Sequence, residues 1–472
     1  MSKGWAMSLQ KWIGLLGVVL LIPASAQAQG DTDCPQIVQT AFVLTTANCD
    51  VLERNQACYG HLVLDAEAQA GYPNFSFDEP GDVVNVVEVK SLRLSAMDEN
   101  TGAWGVAMIK IQADLEQATP QDVTFLMFGN VALDNATQLL PVTAISEANI
   151  RSEPSTVSPI LETLTAGDVV TASGRLADSS WLRVLVPGQP DQAGWVFVEL
   201  VSAETDIEAL PIVDPTNFAE TPSGPQYGPM QAFYFQTGTD DAGCPEAPNS
   251  GLLIQTPEGV AEVTILTNEV DIQLSGTAYL QAQAGGEMAV NVVEGSAQVT
   301  SNGTTRTAVA GTSVSVPMSE NLAPSDVPSP PEPYDENNVQ SLPTNILDRP
   351  VTVPPPLEIQ PGIPLDGEWQ FAWGVEDMTC PDGTVISFEG AGLNSVTIQD
   401  SGASLILSIG EFTRLAEGQY RRIYTDDTGN LHRDTLQVEG PDLISGEAVI
   451  EFSELDCTLT VPFSLLLLRR PS

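Results

Sequence analysis

Two histidines stand in a chain of 472 residues, far apart at His61 and His432. That scarcity removes most of the material for nucleophilic catalysis, because a Ser or Cys nucleophile needs a base within hydrogen-bond reach and histidine is the usual one. None of the six cysteines forms a CxxC pair, so a zinc site of ordinary Cys/His spacing has no support either. Positive charge is equally scarce: 17 Lys and Arg face 62 Asp and Glu, a formal charge of −45. A surface of that sign repels nucleic acid and anionic membranes. Charged residues still total only 17%, too few for a disordered polyelectrolyte, and the acidity reads as solubility outside the cell or in salty water. Helix signals are few, and no apolar run approaches the roughly 20 residues a spanning helix needs.

What is present begins with an export signal. Lys3 and Lys11 precede an apolar run from Trp12 to Ile22, followed by Pro23 and the small residues Ala24-Ser25-Ala26 and Ala26-Gln27-Ala28. This pattern predicts a signal peptide over 1–28 with cleavage near Ala28, which would bring the formal charge to −47 by removing the two lysines (62 minus 15). Cys34 follows Gly30-Asp31-Thr32-Asp33, so no lipoprotein anchor is expected. The mature chain is expected to be soluble and secreted, periplasmic or on the cell surface, without a stable membrane span. Phe463–Leu468 is only of strand length. Six cysteines, an even number in an exported chain, suit structural disulfides. Cys380 and Cys457 are the expected pair in the last module. Cys34, Cys49 and Cys58 compete near the start, so one of them is free or reaches Cys244.

Length suggests roughly three or four domains, and the pattern is mainly β and multidomain. One amphipathic helix is predicted from Cys34 to Leu44, with Pro35 in the first turn and Ile37, Ala41 and Leu44 on one side. Alternating runs follow at Val83–Leu94, Trp104–Ile111 and Val123–Leu133, giving an N-terminal α+β domain over 31–138. Residues 203–250 form a loose connection in which Tyr227, Met230, Phe233, Tyr234 and Phe235 can supply an additional strand. Twelve prolines between Asn321 and Pro364 predict a stiff Pro-rich linker over 321–364 that spaces two bodies. The last module, 365–472, carries alternating segments at Ser395–Ile398, Ser404–Ile409, Gln419–Thr425, Asp434–Val438, Gly446–Phe452 and Thr458–Leu468. A hairpin turn is predicted at Asp426-Asp427-Thr428-Gly429-Asn430. The expectation is a C-terminal antiparallel barrel or sandwich, barrel-like in its strand pattern.

Three resemblances refine this division. Asn149-Ile150-Arg151-Ser152-Glu153-Pro154-Ser155, Leu164-x-x-Gly167, Trp181-Leu182-Arg183-Val184 and Gly194-Trp195-Val196 occur in that order, and residues 140–202 resemble a bacterial SH3 domain. The resemblance implies a small β-barrel that binds cell-wall peptide or glycan. Glu153 replaces the family's usual glycine, and the turn Pro187–Gln192 is long, departures that bear on the ligand groove. Gly194 is expected to allow close approach of an edge strand, with Trp195 in the core. Leu274-Ser275-Gly276-Thr277-Ala278, Glu294-Gly295-Ser296-Ala297-Gln298-Val299 and Ala310-Gly311-Thr312-Ser313-Val314 are similar to a FecR-type β-domain. That resemblance spans about 259–318 within a FecR-like β-domain set at 251–320, and implies short strands folded back at glycine turns. Gly367-Glu368-Trp369 with a terminal arginine is similar to the lipocalins, whose barrels hold an apolar ligand.

No catalytic set emerges, no metal or cofactor is predicted, and the motifs single out no ligand-contacting side chain. His61 and His432 are expected to be surface or packing residues. Asp240-Asp241 and Asp426-Asp427 sit in turn-like contexts without EF-hand spacing. The expected function is therefore non-catalytic: an envelope protein binding cell-wall peptide or glycan through the SH3-like module. One alternative is a periplasmic FecR-like signalling or regulatory protein, though the cytoplasmic segment and membrane helix usual ahead of that domain are missing. The other is a secreted carboxylate-dependent hydrolase.

Overall fold

Strands account for 53% of the described residues and helix for 8%. The computed structural model describes residues 34–470 apart from 70–71, 73, 114–120, 137–139, 188, 204–206, 208–209, 211–226, 239–243, 260–261, 374–375, 389–391, 401–402 and 455. The expected signal peptide lies outside the described residues. Among those described, no helix is long and apolar enough to cross a membrane.

The predicted helix forms over Cys34–Asn48 and buries Cys34, Ile37, Val38 and Ala41. Phe42 completes its apolar side, meeting Trp104 edge-on at a centroid distance of 5.1 Å. The cysteine competition resolves as Cys34–Cys244 and Cys49–Cys58. The second bridge ties the end of the helix to the adjoining strand Gln56–His61.

The helix lies on a fifteen-stranded sheet. Strand Val123–Phe128 pairs with Gly251–Gln255, and Val131–Asn135 pairs with Ala232–Thr237, both antiparallel. The segments expected as separate N-terminal and FecR-like domains are thus hydrogen-bonded into one sheet, and a boundary at 251 would cut through it. The extra strand foreseen in 203–250 is Ala232–Thr237. Alternation along the strands gives the sheet two apolar faces. One face gathers Ile109, Phe125, Phe235, Ile254, Leu280 and Val290 inside the curl of the sheet. The other presents Met108, Leu126, Phe128, Leu253, Tyr279 and Val293 outward, beneath the helix.

Two expectations need correction here. Gly276 and Gly295 both take positive φ (+125° and +74°), but neither is a turn. They face each other in the long hairpin Val270–Ala282 with Glu287–Ser301, where each backbone approaches too closely to admit a Cβ. Gly311 (φ +93°) does sit between strands, although its flanking strands Thr304–Val309 and Thr312–Pro317 both pair with Glu287–Ser301 rather than with each other.

The proline-rich segment is not a spacer. Tyr334, Val339, Leu342 and Leu347 are buried with the outward sheet face and the N-terminal helix. Gln255 Nε2 donates to the Arg349 carbonyl at 2.8 Å, and the Arg349 amide donates back to Gln255 Oε1 at 3.0 Å. Asp348 adds an ion pair to Lys110 at 2.9 Å and accepts a hydrogen bond from Thr124. The strap turns through short helical pieces at Glu336–Val339 and Thr344–Ile346, and a sheet face that would otherwise be wet decides where it lies.

The C-terminal module is a closed barrel of eight strands. It runs up and down from Gly367–Trp373 through Gly392–Asp400 to Cys457–Arg469, which closes on the first strand. Trp369, Leu405, Phe412, Tyr420, Ile444 and Leu465 fill it. The expected bridge Cys380–Cys457 forms and anchors a hairpin, Glu376–Thr379 with Val385–Phe388. Met378 and half-buried Ile386 of that hairpin pack with Ile450, Phe452, Leu459 and Val461 at one barrel end. At the opposite end Asp442, wholly buried, accepts from Arg306 at 3.2 Å and from the Thr307 amide at 2.9 Å. Burial lifts its carboxyl above the ordinary value even though both bonds act the other way.

Two outcomes follow from this packing. Leu342→Ala is expected to cost about 2–3 kcal/mol in chemical denaturation, whereas a spacer residue would cost almost nothing. Asp442→Ala strands a buried guanidinium and an amide, and is expected to lose about 3–5 kcal/mol by the same measurement.

Candidate functional site

The connection between the paired strands Val131–Asn135 and Ala232–Thr237 carries a second, seven-stranded sheet. It curls around Val142, Ile150, Val170, Leu182, Val184 and Val196. Alternation then fixes the opposite face: Arg151, Trp181, Arg183, Trp195 and Phe197 fall on the side away from that core. Gly194 behaves as predicted, since a Cβ there would collide with Ile150 and press on the Arg151 carbonyl. Its absence lets the strand Ala148–Arg151 close onto Gln189–Phe197.

Registers align the outer face. Trp195 stands directly opposite Arg183 on one side and Arg151 on the other. Directly opposed residues have Cβ atoms about 4.5–5.5 Å apart, so the three side chains make one cross-strand row. Trp195 is 1% exposed, consistent with its expected packing role. The neighbouring pair Trp181 and Phe197 meet edge-on at 5.4 Å. Arg151 Nη1 donates to the Ser158 carbonyl at 2.7 Å, which fixes the guanidinium beside the loop 152–159. That loop closes on itself despite Glu153: the Ser158 hydroxyl donates to the carbonyls of Glu153 and Ser155. Its tip exposes Val157 to 90%. Arg183 is mostly enclosed, and burial pulls its guanidinium below the usual value. In the long turn noted at Pro187–Gln192, Gly188 and the side chains of 189–192 lie outside the described residues. The inserted module also touches the larger sheet's own chain, through Tyr72 Oη and Thr171 Oγ1 at 2.6 Å.

The other residues weighed from the sequence go elsewhere. His61 is buried, with Nδ1 3.0 Å from the Trp104 carbonyl oxygen. His432 lies in the C-terminal barrel, 3.1 Å from Asp426 and stacked on Tyr424. Asp426 itself organises the predicted hairpin turn, accepting from Thr428, Asn430 and His432, with the Thr428 hydroxyl foremost in holding its carboxyl below the usual range. Asp240 and Asp241 lie outside the described residues. No three Asp, Glu, His or Cys side chains gather in a metal-binding group among the described residues. Arg151 and Arg183 belong to the recognised motifs without having been singled out. Strand parity alone could have placed them on Trp195's face.

A seven-stranded sheet around one small apolar core, with a short loop at its rim, is the setting in which an SH3-type module can be tested. Residues 146–202 match the family model for the bacterial SH3 domain. No curated protein matches the chain. A solved protein of unknown function from Nostoc punctiforme PCC 73102, of the DUF3598 family, aligns at 9% identity over 70% of this chain and 96% of that one, with a TM-score of 0.15. A likeness at that level carries no structural argument. The FecR resemblance gains no family-model support.

Trp195→Ala is expected to cost about 3–5 kcal/mol in thermal or chemical unfolding of the inserted barrel. An unchanged unfolding transition would show that Trp195 is not part of its packing.

Proposed function

We propose that this chain is a non-catalytic, exported envelope protein whose SH3 module binds cell-wall peptide or glycan. The match of residues 146–202 to the bacterial SH3 domain carries this reading, since domains of that family commonly bind cell-wall components. Three disulfides and no free cysteine among the described residues are consistent with an oxidising, extracytoplasmic location. The larger sheet and the C-terminal barrel act in this reading as the body that carries the module.

The full chain is expected to be retained when incubated with purified peptidoglycan and sedimented, at low and moderate salt. Absence of retention under both conditions would overturn the reading.

A further inference from the structure

The row Arg151–Trp195–Arg183 stands out electrostatically. The chain has 62 acidic and 17 basic residues, so cations should find carboxylates easily. Seven arginines and two lysines among the described residues do reach a carboxylate within 4 Å. Arg421 and Arg470 are exposed, where water solvates them. Arg151 and Arg183 are partly buried, share one face, and reach no carboxylate among the described residues. Arg151 donates only to a backbone carbonyl, leaving most of the five N–H donors of its guanidinium uncommitted. Arg183 has been drawn partly out of water without an anion to offset the cost. Both keep a minor part of their surface in contact with solvent, so a solute can reach them. Registers place them two strands apart on the same face, within reach of a single ligand group for side chains of this length.

We propose that Arg151 and Arg183, on either side of Trp195, form an oxyanion site that takes a carboxylate of the cell-wall peptide. The inference rests on the cell-wall reading above and names the part of the ligand that is recognised. A planar guanidinium suits a carboxylate because two parallel N–H donors match its two oxygens. An acidic protein needs such a site to hold an acidic ligand, since its overall field works against the approach.

The test uses the full chain and peptidoglycan freed of phosphate-bearing polymers, either untreated or with its carboxylates converted to amides. Retention on the untreated wall with at least about tenfold weaker binding to the amidated wall is expected, the scale of losing charge-assisted hydrogen bonds. Arg151→Gln/Arg183→Gln is expected to show the same loss on the untreated wall, with its circular dichroism and melting unchanged. The amidated arm needs no variant, so it decides the matter even if that variant fails to fold. Equal binding to both walls overturns the carboxylate site and leaves cell-wall binding standing. Binding that appears only when phosphate polymers are left in place also overturns it. No retention on any wall overturns the cell-wall reading and this inference with it.

Discussion

The structure depends on one constraint: a large sheet with apolar side chains on both faces must be covered on both. The sheet meets half of this by curling, so that Phe125, Phe235, Leu280 and Val290 pack against one another inside it. The outward face needs other cover. The N-terminal helix supplies part, and the strap from Tyr334 to Leu347 supplies the rest. Burying one Leu or Val side chain contributes about 1.5–3 kcal/mol, which is ample reason for this proline-rich segment to lie down instead of standing free. The bridge Cys34–Cys244 then joins the covering helix to a segment 210 residues away in sequence.

Electrostatics follow a parallel logic. With acids in large excess, each basic side chain is a limited resource, and most are used where elements meet. Asp348 with Lys110 fixes the strap, Glu294 pairs with Arg349 beside it, and Asp442 with Arg306 joins barrel to sheet. Of these only the Arg306–Asp442 pair is buried, where the desolvation of both charges offsets much of their attraction. Arg151 and Arg183, on one face of the inserted module, have no carboxylate partner among the described residues.

Legibility in the sequence tracked the range of the interactions concerned. The SH3 module was readable because its signals are local: Trp181-Leu182-Arg183-Val184 and Gly194-Trp195-Val196 each state a strand and its parity. The helix at Cys34 and the turn at Asp426 were readable for the same reason, while the bridge Cys380–Cys457, 77 residues apart, was readable because these two cysteines share the last module. The shared sheet was not, because Val131–Asn135 and Ala232–Thr237 become neighbours only after the intervening barrel has been set aside. Proline content predicted an extended spacer, whereas the strap includes a helical turn at Glu336–Val339 and a second, tighter one at Thr344–Ile346. It could not reveal that Val339 and Leu342 have a sheet face waiting for them. The barrel strand Gly410–Ala416 escaped notice because only Phe412 is buried along it, leaving almost no alternation to read.

The placement of the inserted module explains how such a fold can carry it at low cost. The inserted barrel departs after Asn135 and the chain returns at Ala232, and Asn135 lies opposite Phe233 in the antiparallel pair. From the sheet's side, the whole module is therefore the loop of a hairpin. The entropy of closing a loop rises only slowly with its length, and a folded domain whose ends lie close together imposes little strain on the strands that hold it. The sheet can thus keep its register whatever the loop contains. The module in turn gains a fixed orientation from two anchoring strands and from the contact between Tyr72 and Thr171. Arg151, Arg183 and the loop around Val157, on its outer face, can therefore vary without disturbing the residues that build either core.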